Sequence, residues 1–285
     1  SKKRVDMHWI APAKINLFLK ILRRRADGYH DIFSLMQKIS IYDELIFAPL
    51  HRGIVLHCPG MNLPENDGNL IVRAAKAIFA YANYSGGIEI TLIKKIPMTA
   101  GLGGGSSDAA TTLLALNKIC ALKLKKNELM AIGAKIGADV PFFVFGNTAL
   151  ATGIGDKLKH LRNLPPLNLV LIKPPFDIST KMVYESLNLR LTMGKNNYSI
   201  PRFLKLGDIV QVLQNDLESV SLKIYPELDE FKKMLLGHGA LGALMSGSGP
   251  TIFGIFRNGK EAKKALECIN KEIPGNYTVF FAKSL

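Results

Sequence analysis

The sequence predicts an α+β chain of two domains. Strand-like and helix-like segments are mixed without strict βα alternation, which disfavours a doubly wound sheet. The 285 residues are 48% hydrophobic, enough for one large core or two moderate ones. A polar stretch ending in two prolines, Asn163 to Pro166, breaks the pattern and places a boundary between residues 1–163 and 164–285.

The elements follow in order. His8 to Leu22 carries Ile10, Ile15, Leu17, Leu19 and Ile21 and reads as a strand; Ile39 to Pro49, Gly53 to Cys58 and Ile88 to Ile93 are further strands. Asn69 to Tyr81 sets Leu70, Ala74, Ala77 and Ile78 on one helical face, and Asp108 to Leu122 and Lys126 to Ile136 are two more helices. Thr148 to Thr152 with the glycine turn at 153–155 reads as a strand and hairpin. Past the break, Leu167 to Ile172 is a short apolar strand, and Thr180 to Leu187, Gly207 to Gln214 and Leu228 to Leu236 are helical. Leu241 to Phe256 holds two strands around a glycine turn, Glu261 to Lys271 is a helix, and Tyr277 to Ala282 closes the chain as a strand. Leu189 to Phe203 matches no usable motif.

Composition narrows the setting. No apolar run approaches the roughly 18 residues of a membrane span. The basic start is not followed by a signal-peptide core, because Asp6, His8 and Lys14 interrupt it. Three widely spaced cysteines without a C-x-x-C pattern disfavour a disulfide framework or a cysteine zinc site, and a reducing cytoplasm fits. The formal net charge of +14 favours anionic partners. The basic residues come in small groups that suit solvated helix faces, so the charge fits a phosphorylated small substrate better than nucleic acid.

Four segments are more polar or glycine-rich than a plain core requires. PMTAGLGGGSSDA runs from Pro97 to Ala109, with Gly101, Gly103, Gly104 and Gly105 ahead of Ser106, Ser107 and Asp108 and then an apolar helical pattern. Glycines permit close backbone approach, a helix start offers unpaired N–H groups, and Ser or Asp suits an N-cap, so this is an anion site or a glycine-rich lead into a helix. It is neither a P-loop, lacking the lysine, nor a Rossmann fingerprint, lacking the third glycine. In APAKINLFL, Lys14 and Asn16 lie two apart on a strand and face the same side. Lys14 there either binds an anion or guards a sheet edge. In GADVPFF, Asp139 is either a carboxylate with a cationic partner, for which Lys14 is the natural candidate, or a turn or cap residue. MSGSGPTIFG, with Ser246 to Gly249 at its centre, either closes over phosphates or forms a plain hairpin. In RADGYHDI, Tyr29 and His30 follow an Asp-Gly turn and together suit stacking and edge recognition of a nucleobase.

In their order along the chain the segments resemble the GHMP kinase superfamily, from Trp9 to about Ala282. PMTAGLGGGSSDA looks like its ATP-phosphate loop, APAKINLFL its N-terminal motif and MSGSGPTIFG its C-terminal glycine motif. RADGYHDI, NDGNLIVRAA, the triple glycine before Ser106 and GADVPFF are similar to the branch whose alcohol acceptor carries a cytidine diphosphate. The resemblance implies an S5-like N-terminal ATP domain, a ferredoxin-like C-terminal domain and an active site in the cleft between them. It implies transfer from ATP, with Mg²⁺, to the 2-hydroxyl of a cytidine diphosphate-linked methylerythritol in non-mevalonate isoprenoid precursor biosynthesis, with neither nucleic acid nor membrane as partner.

The resemblance also distributes roles. Asp139 would accept the hydroxyl proton, and Lys14 would pair with it and stabilise charge on the transferring group. Pro97 and the Gly101, Gly103, Gly104, Gly105, Ser106 and Ser107 segment would cradle ATP phosphates, with Asn69 and Lys94 near adenosine. Asn16, Tyr29 and His30, with Phe176 on the other side and Thr180 lining the cleft, would hold the acceptor; Ser107 is the metal candidate. One departure stands out: other branches place a Mg²⁺-binding glutamate on the helix before the catalytic Asp, whereas Lys135, Ile136 and Gly137 precede Asp139 here.

Overall fold

The structure, a computed structural model, describes residues 6–187 and 205–285. The segment without a usable motif, Leu189 to Phe203, lies outside them. Its elements in chain order are β1 (Met7–Arg24), β2 (His30–Leu50), β3 (Gly53–His57), α1 (Leu70–Tyr81), β4 (Gly87–Ile93), α2 (Gly104–Ile119), α3 (Lys126–Ala134) and α4 (Val140–Phe145). Then come β5 (Ala149–Thr152), β6 (Lys157–His160), β7 (Asn168–Lys173), α5 (Thr180–Glu185), α6 (Leu206–Val212), β8 (Gln214–Asn215) and α7 (Glu218–Ile224). The chain ends with α8 (Glu227–Gly237), β9 (Gly242–Met245), β10 (Ile252–Phe256), α9 (Gly259–Glu272) and β11 (Thr278–Lys283).

Two compact units form, and both are discontinuous. The first comprises Ser1–Ala13, Ile41–Met98 and Gly103–Asn147, the second Lys14–Ser40, Thr99–Leu102 and Thr148–Leu285. The single cut at 163/164 therefore does not coincide with them. The reason is the length of β1 and β2, 18 and 21 residues, each of which runs through both units.

In the first unit the sheet order is β3-β4-β2-β1, with β3 parallel to β4 across α1 and β4 antiparallel to β2. Helix α1 packs on α2, and α3 on α4. The core is built from fully buried Ile78, Leu113, Leu116, Phe142, Phe47 and Ile90. Gly133 lets α3 and α4 approach, since a Cβ there would lie 2.7 Å from a Val140 methyl.

In the second unit β7, β9, β10 and β11 form an antiparallel sheet of order β11-β7-β10-β9. With α8 before β9 and α9 between β10 and β11, this is the split βαβ arrangement of ferredoxin-like domains. All five residues of β10 are buried, so it reads as a continuous apolar run. Gly254 within it admits α8, as a Cβ would lie 3.2 Å from Leu235. The same unit holds β5 against β2, β6 against β5, and β8 parallel to β1. Among the described residues no helix is long and apolar enough to cross a membrane.

Candidate active site

The glycine segment forms a loop entering α2. Gly101 has φ +73° and Gly103 φ +70°, conformations that suit glycine. Gly103 is the N-cap of α2, so the helix starts at Gly104 rather than at Asp108, and neither serine nor Asp108 caps it. Ser107 N–H donates to the Gly103 carbonyl, and the N–H groups of Gly104, Gly105 and Ser106 precede any intrahelical partner. Three donors at the positive end of a 16-residue helix are suited to receive an anion. Gly104 is buried over Ile96 and the Lys94 ammonium, which a Cβ would approach to 2.8 Å. Gly105 is exposed, and Ser106 and Pro97 are half-buried. Ser107 is fully buried and its hydroxyl has no hydrogen-bond partner.

Lys94 does not turn its side chain outward. The ammonium bonds the carboxylates of Asp43 and, at 3.0 Å, Asp108, with only 6% of the side chain exposed. Moving the ammonium away would leave two buried carboxyl groups without their partner. Asp43 also accepts from the backbone N–H groups of Lys95 at 2.6 Å and Ile96 at 2.8 Å, pinning the chain as it enters the loop. Burial pushes the Asp108 carboxyl up to about 8, against the pull of Lys94 and helped by Asp43. For Lys94, burial acts downward, but the two carboxylates outweigh it and raise its pKa. Sequence reading missed Asp43, although a signal exists: it occupies an inward position of β2, in step with Ile39, Ile41, Leu45 and Phe47.

On β1, Lys14 and Asn16 do face the same side. Lys14 Nζ donates to Asn16 Oδ1 at 2.7 Å, and Asn16 Nδ2 donates to Ser34 Oγ at 2.8 Å, whose hydroxyl donates to the Phe18 carbonyl. Both residues are buried, Lys14 being 4% and Asn16 3% exposed. The Lys14 backbone N–H donates to the Leu102 carbonyl at 2.9 Å, tying β1 to the glycine loop. Asp139 occupies the position before α4 and makes no side-chain capping bond there.

Asn69 caps α1: its Oδ1 accepts from Ile71 N–H at 3.0 Å, and its Nδ2 donates to the Pro64 carbonyl at 2.9 Å. Tyr29 and His30 lie at a hairpin whose turn closes through Arg25 N–H to Tyr29 O at 2.7 Å, with Gly28 at φ +87°. His30 is already the first residue of β2, not a loop residue. Tyr29 is 57% exposed, whereas the His30 ring packs at 5.0 Å on Tyr184. Burial, with help from Arg24, holds the His30 pKa below the ordinary imidazole value. Phe176 stacks on Tyr225 at 4.9 Å and 13°. Thr180, at the start of α5, shares a 2.7 Å hydrogen bond with Ser248. The second glycine turn meets the first glycine loop: Ser246 Oγ donates to the Gly101 carbonyl at 2.9 Å, and a Cβ on Gly101 would overlap the Ser246 carbonyl.

A glycine-capped helix start with three N–H groups ahead of any intrahelical partner is the arrangement of a phosphate-handling class. Two family models match: the GHMP kinases N-terminal domain over residues 69–147 and the GHMP kinases C-terminal domain over residues 199–275. The chain belongs to the GHMP kinase family. Within that family it is 55% identical, over 97% of its length and 98% of the relative's, to a 4-diphosphocytidyl-2-C-methyl-D-erythritol kinase from Syntrophus aciditrophicus. Among solved structures it resembles a 4-(cytidine 5'-diphospho)-2C-methyl-D-erythritol kinase, with 35% identity and TM-score 0.83, covering 98% of this chain and 99% of that one. A homoserine kinase from Cytophaga hutchinsonii shares the fold at 19% identity and TM-score 0.76, covering 100% of this chain and 96% of that one.

Proposed function

We propose that the chain transfers the γ-phosphoryl group of ATP to the 2-hydroxyl of 4-diphosphocytidyl-2-C-methyl-D-erythritol, an alcohol-acceptor phosphotransfer in non-mevalonate isoprenoid precursor biosynthesis. The observation that carries this is identity of 55% along 97% of the chain with a kinase of that name. The glycine loop opening α2 supports the donor half independently.

Asp139 accepts the proton of the 2-hydroxyl. Phosphoryl transfer passes through a loose transition state, so positioning and charge stabilisation do most of the work and proton transfer comes late. Lys14, held by Asn16, supplies positive charge to the transferring group. The N–H groups of Gly104, Gly105 and Ser106 hold the ATP phosphates, with Pro97, Gly101, Gly103 and Ser107 shaping the loop around them. Asn69 and the Lys94 backbone lie on the adenosine side. Tyr29, His30 and Phe176 present ring faces and edges suited to the cytidine, with Asn16 and Thr180 supplying polar contacts.

Mg²⁺ fits this site as a companion of ATP. Among the described residues no group of three or more His, Cys, Asp or Glu is arranged to hold a metal ion. The partnerless Ser107 hydroxyl offers one oxygen, and Ser106 is the less buried alternative. Magnesium retains waters and binds phosphates readily, and in this site it would neutralise phosphate charge. The cysteines, free at Cys58, Cys120 and Cys268, suit a reducing cytoplasm.

The test is ADP release with Mg²⁺-ATP and the cytidine-bearing acceptor, beside mevalonate, homoserine and no acceptor. Turnover confined to the cytidine-bearing alcohol supports the reading. Turnover with another alcohol keeps the donor half and overturns the acceptor.

A further inference from the structure

The turn Ser246–Gly249 carries two left-handed glycines, Gly247 at φ +56° and Gly249 at φ +85°, so its own backbone preferences leave it many shapes. Gly249 N–H to the Ser246 carbonyl at 2.9 Å closes the turn from within, and groups outside it fix where it sits. Three side chains from the segment 215–221 hold it from behind: Glu218 accepts from Met245 N–H at 2.9 Å, Ser221 donates to the Ser248 carbonyl at 3.3 Å, and Asn215 makes the remaining bonds. Asn215 Nδ2 donates to both the Met245 carbonyl at 2.8 Å and the Gly247 carbonyl at 2.7 Å, while its Oδ1 accepts from Leu217 N–H at 3.0 Å. The residue is 6% exposed.

Asn215 is itself fixed to the strand that carries Lys14 and Asn16. It pairs with Leu19 of β1 in parallel register, and the next residue clamps that strand through Asp216 N–H to Leu19 O at 3.0 Å and Ile21 N–H to Asp216 Oδ2 at 2.9 Å. On its far side the turn touches Gly101 through Ser246, and a Cβ on Gly247 would lie 3.2 Å from the Gly101 carbonyl and 3.6 Å from Asn16 Oδ1.

We propose that Asn215 is a positioning residue for nucleotide binding: its amide sets the 246–249 turn against Gly101 and so fixes the entry to the phosphate loop. The chemistry is selective. Two carbonyl oxygens must be met by two N–H donors on one planar group, with an acceptor opposite. Aspartate has the shape without the donors, serine has one donor, and glutamine is one methylene too long. The proposal rests on the kinase reading only for the identity of the nucleotide.

The experiment compares Asn215→Asp and Ser246→Ala with the parent. ADP affinity is measured by titration calorimetry, with KM for ATP and kcat from ADP release, at a temperature where circular dichroism shows each protein folded. The expected result is ADP affinity weakened about five- to tenfold in Asn215→Asp and about two- to threefold in Ser246→Ala, with KM for ATP rising alongside. A merely structural asparagine would lower the unfolding temperature and leave ADP affinity in the folded protein unchanged. Folded Asn215→Asp binding ADP within twofold of the parent overturns the proposal. If that variant does not fold, unchanged ADP affinity in Ser246→Ala overturns it instead. A parent that binds ADP yet phosphorylates no acceptor refutes the kinase reading, while the ADP comparison still decides the role of Asn215.

Discussion

Asp139 and Lys94 show how differently two charged residues can be held. Asp139 heads a buried helix and makes no side-chain capping bond to it. Asp139→Asn is expected to lower kcat by about 10²–10⁴-fold, the range of general-base catalysis, with ADP affinity by calorimetry unchanged. Lys94 instead bonds two buried carboxyl groups, Asp43 and Asp108. Lys94→Met leaves them facing each other in low dielectric and should cost about 3–5 kcal/mol in urea unfolding. Asp108→Asn should cost far less at neutral pH, because a carboxyl pushed up to about 8 is already mostly protonated there and the amide imitates it. Comparable losses in the two variants would remove the ionic account of this cluster. The lowered pKa of His30 keeps its imidazole neutral at neutral pH, and protonation sets in only below the ordinary value. kcat/KM for the acceptor should therefore fall on the acid side as His30 gains charge, and His30→Asn should lose that limb while the profile for ATP keeps its shape.

Helix starts decide much at the scale of elements. The apolar periodicity of α2 is visible from Ala109, yet the helix opens at Gly104, five residues earlier. Glycine is a poor helix former, but at Gly104 any Cβ would press on Lys94 and Ile96, so packing overrides propensity. Helix α4 went unread for the opposite reason: Val140 to Val144 are all buried, and a helix apolar all round shows no stripe. Helix α1 was legible because its cap and face are both local. Asn69→Ala should cost about 1 kcal/mol in unfolding free energy through the lost cap, whereas Asn69→Ser should keep the stability. If Asn69 also touches adenosine, the serine variant raises KM for ATP without lowering the unfolding midpoint.

For the whole molecule, the division into units follows β1 and β2 rather than the proline-marked break, because strands of 18 and 21 residues are long enough to serve two cores. The formal charge of +14 also acts at this scale. Both substrates are polyanions, so kcat/KM for each should fall as potassium chloride is raised at fixed free Mg²⁺, since screening shortens the reach of the field. A flat salt series would show that the excess charge plays no part in substrate capture.

The sequence alone determined the glycine loop, the shared side of Lys14 and Asn16, the Asp-Gly turn before His30 and most strands and helices. Each depends on residues close together in the chain, where alternation, capping and glycine geometry act. Only the tertiary structure decided that Lys94 belongs to Asp43, 51 positions away, that Ser107 turns inward, and that Asn215 holds a turn 30 to 32 positions further on. A buried charge or amide must be satisfied by whatever group packing brings to it, and local pattern carries no record of segments so distant.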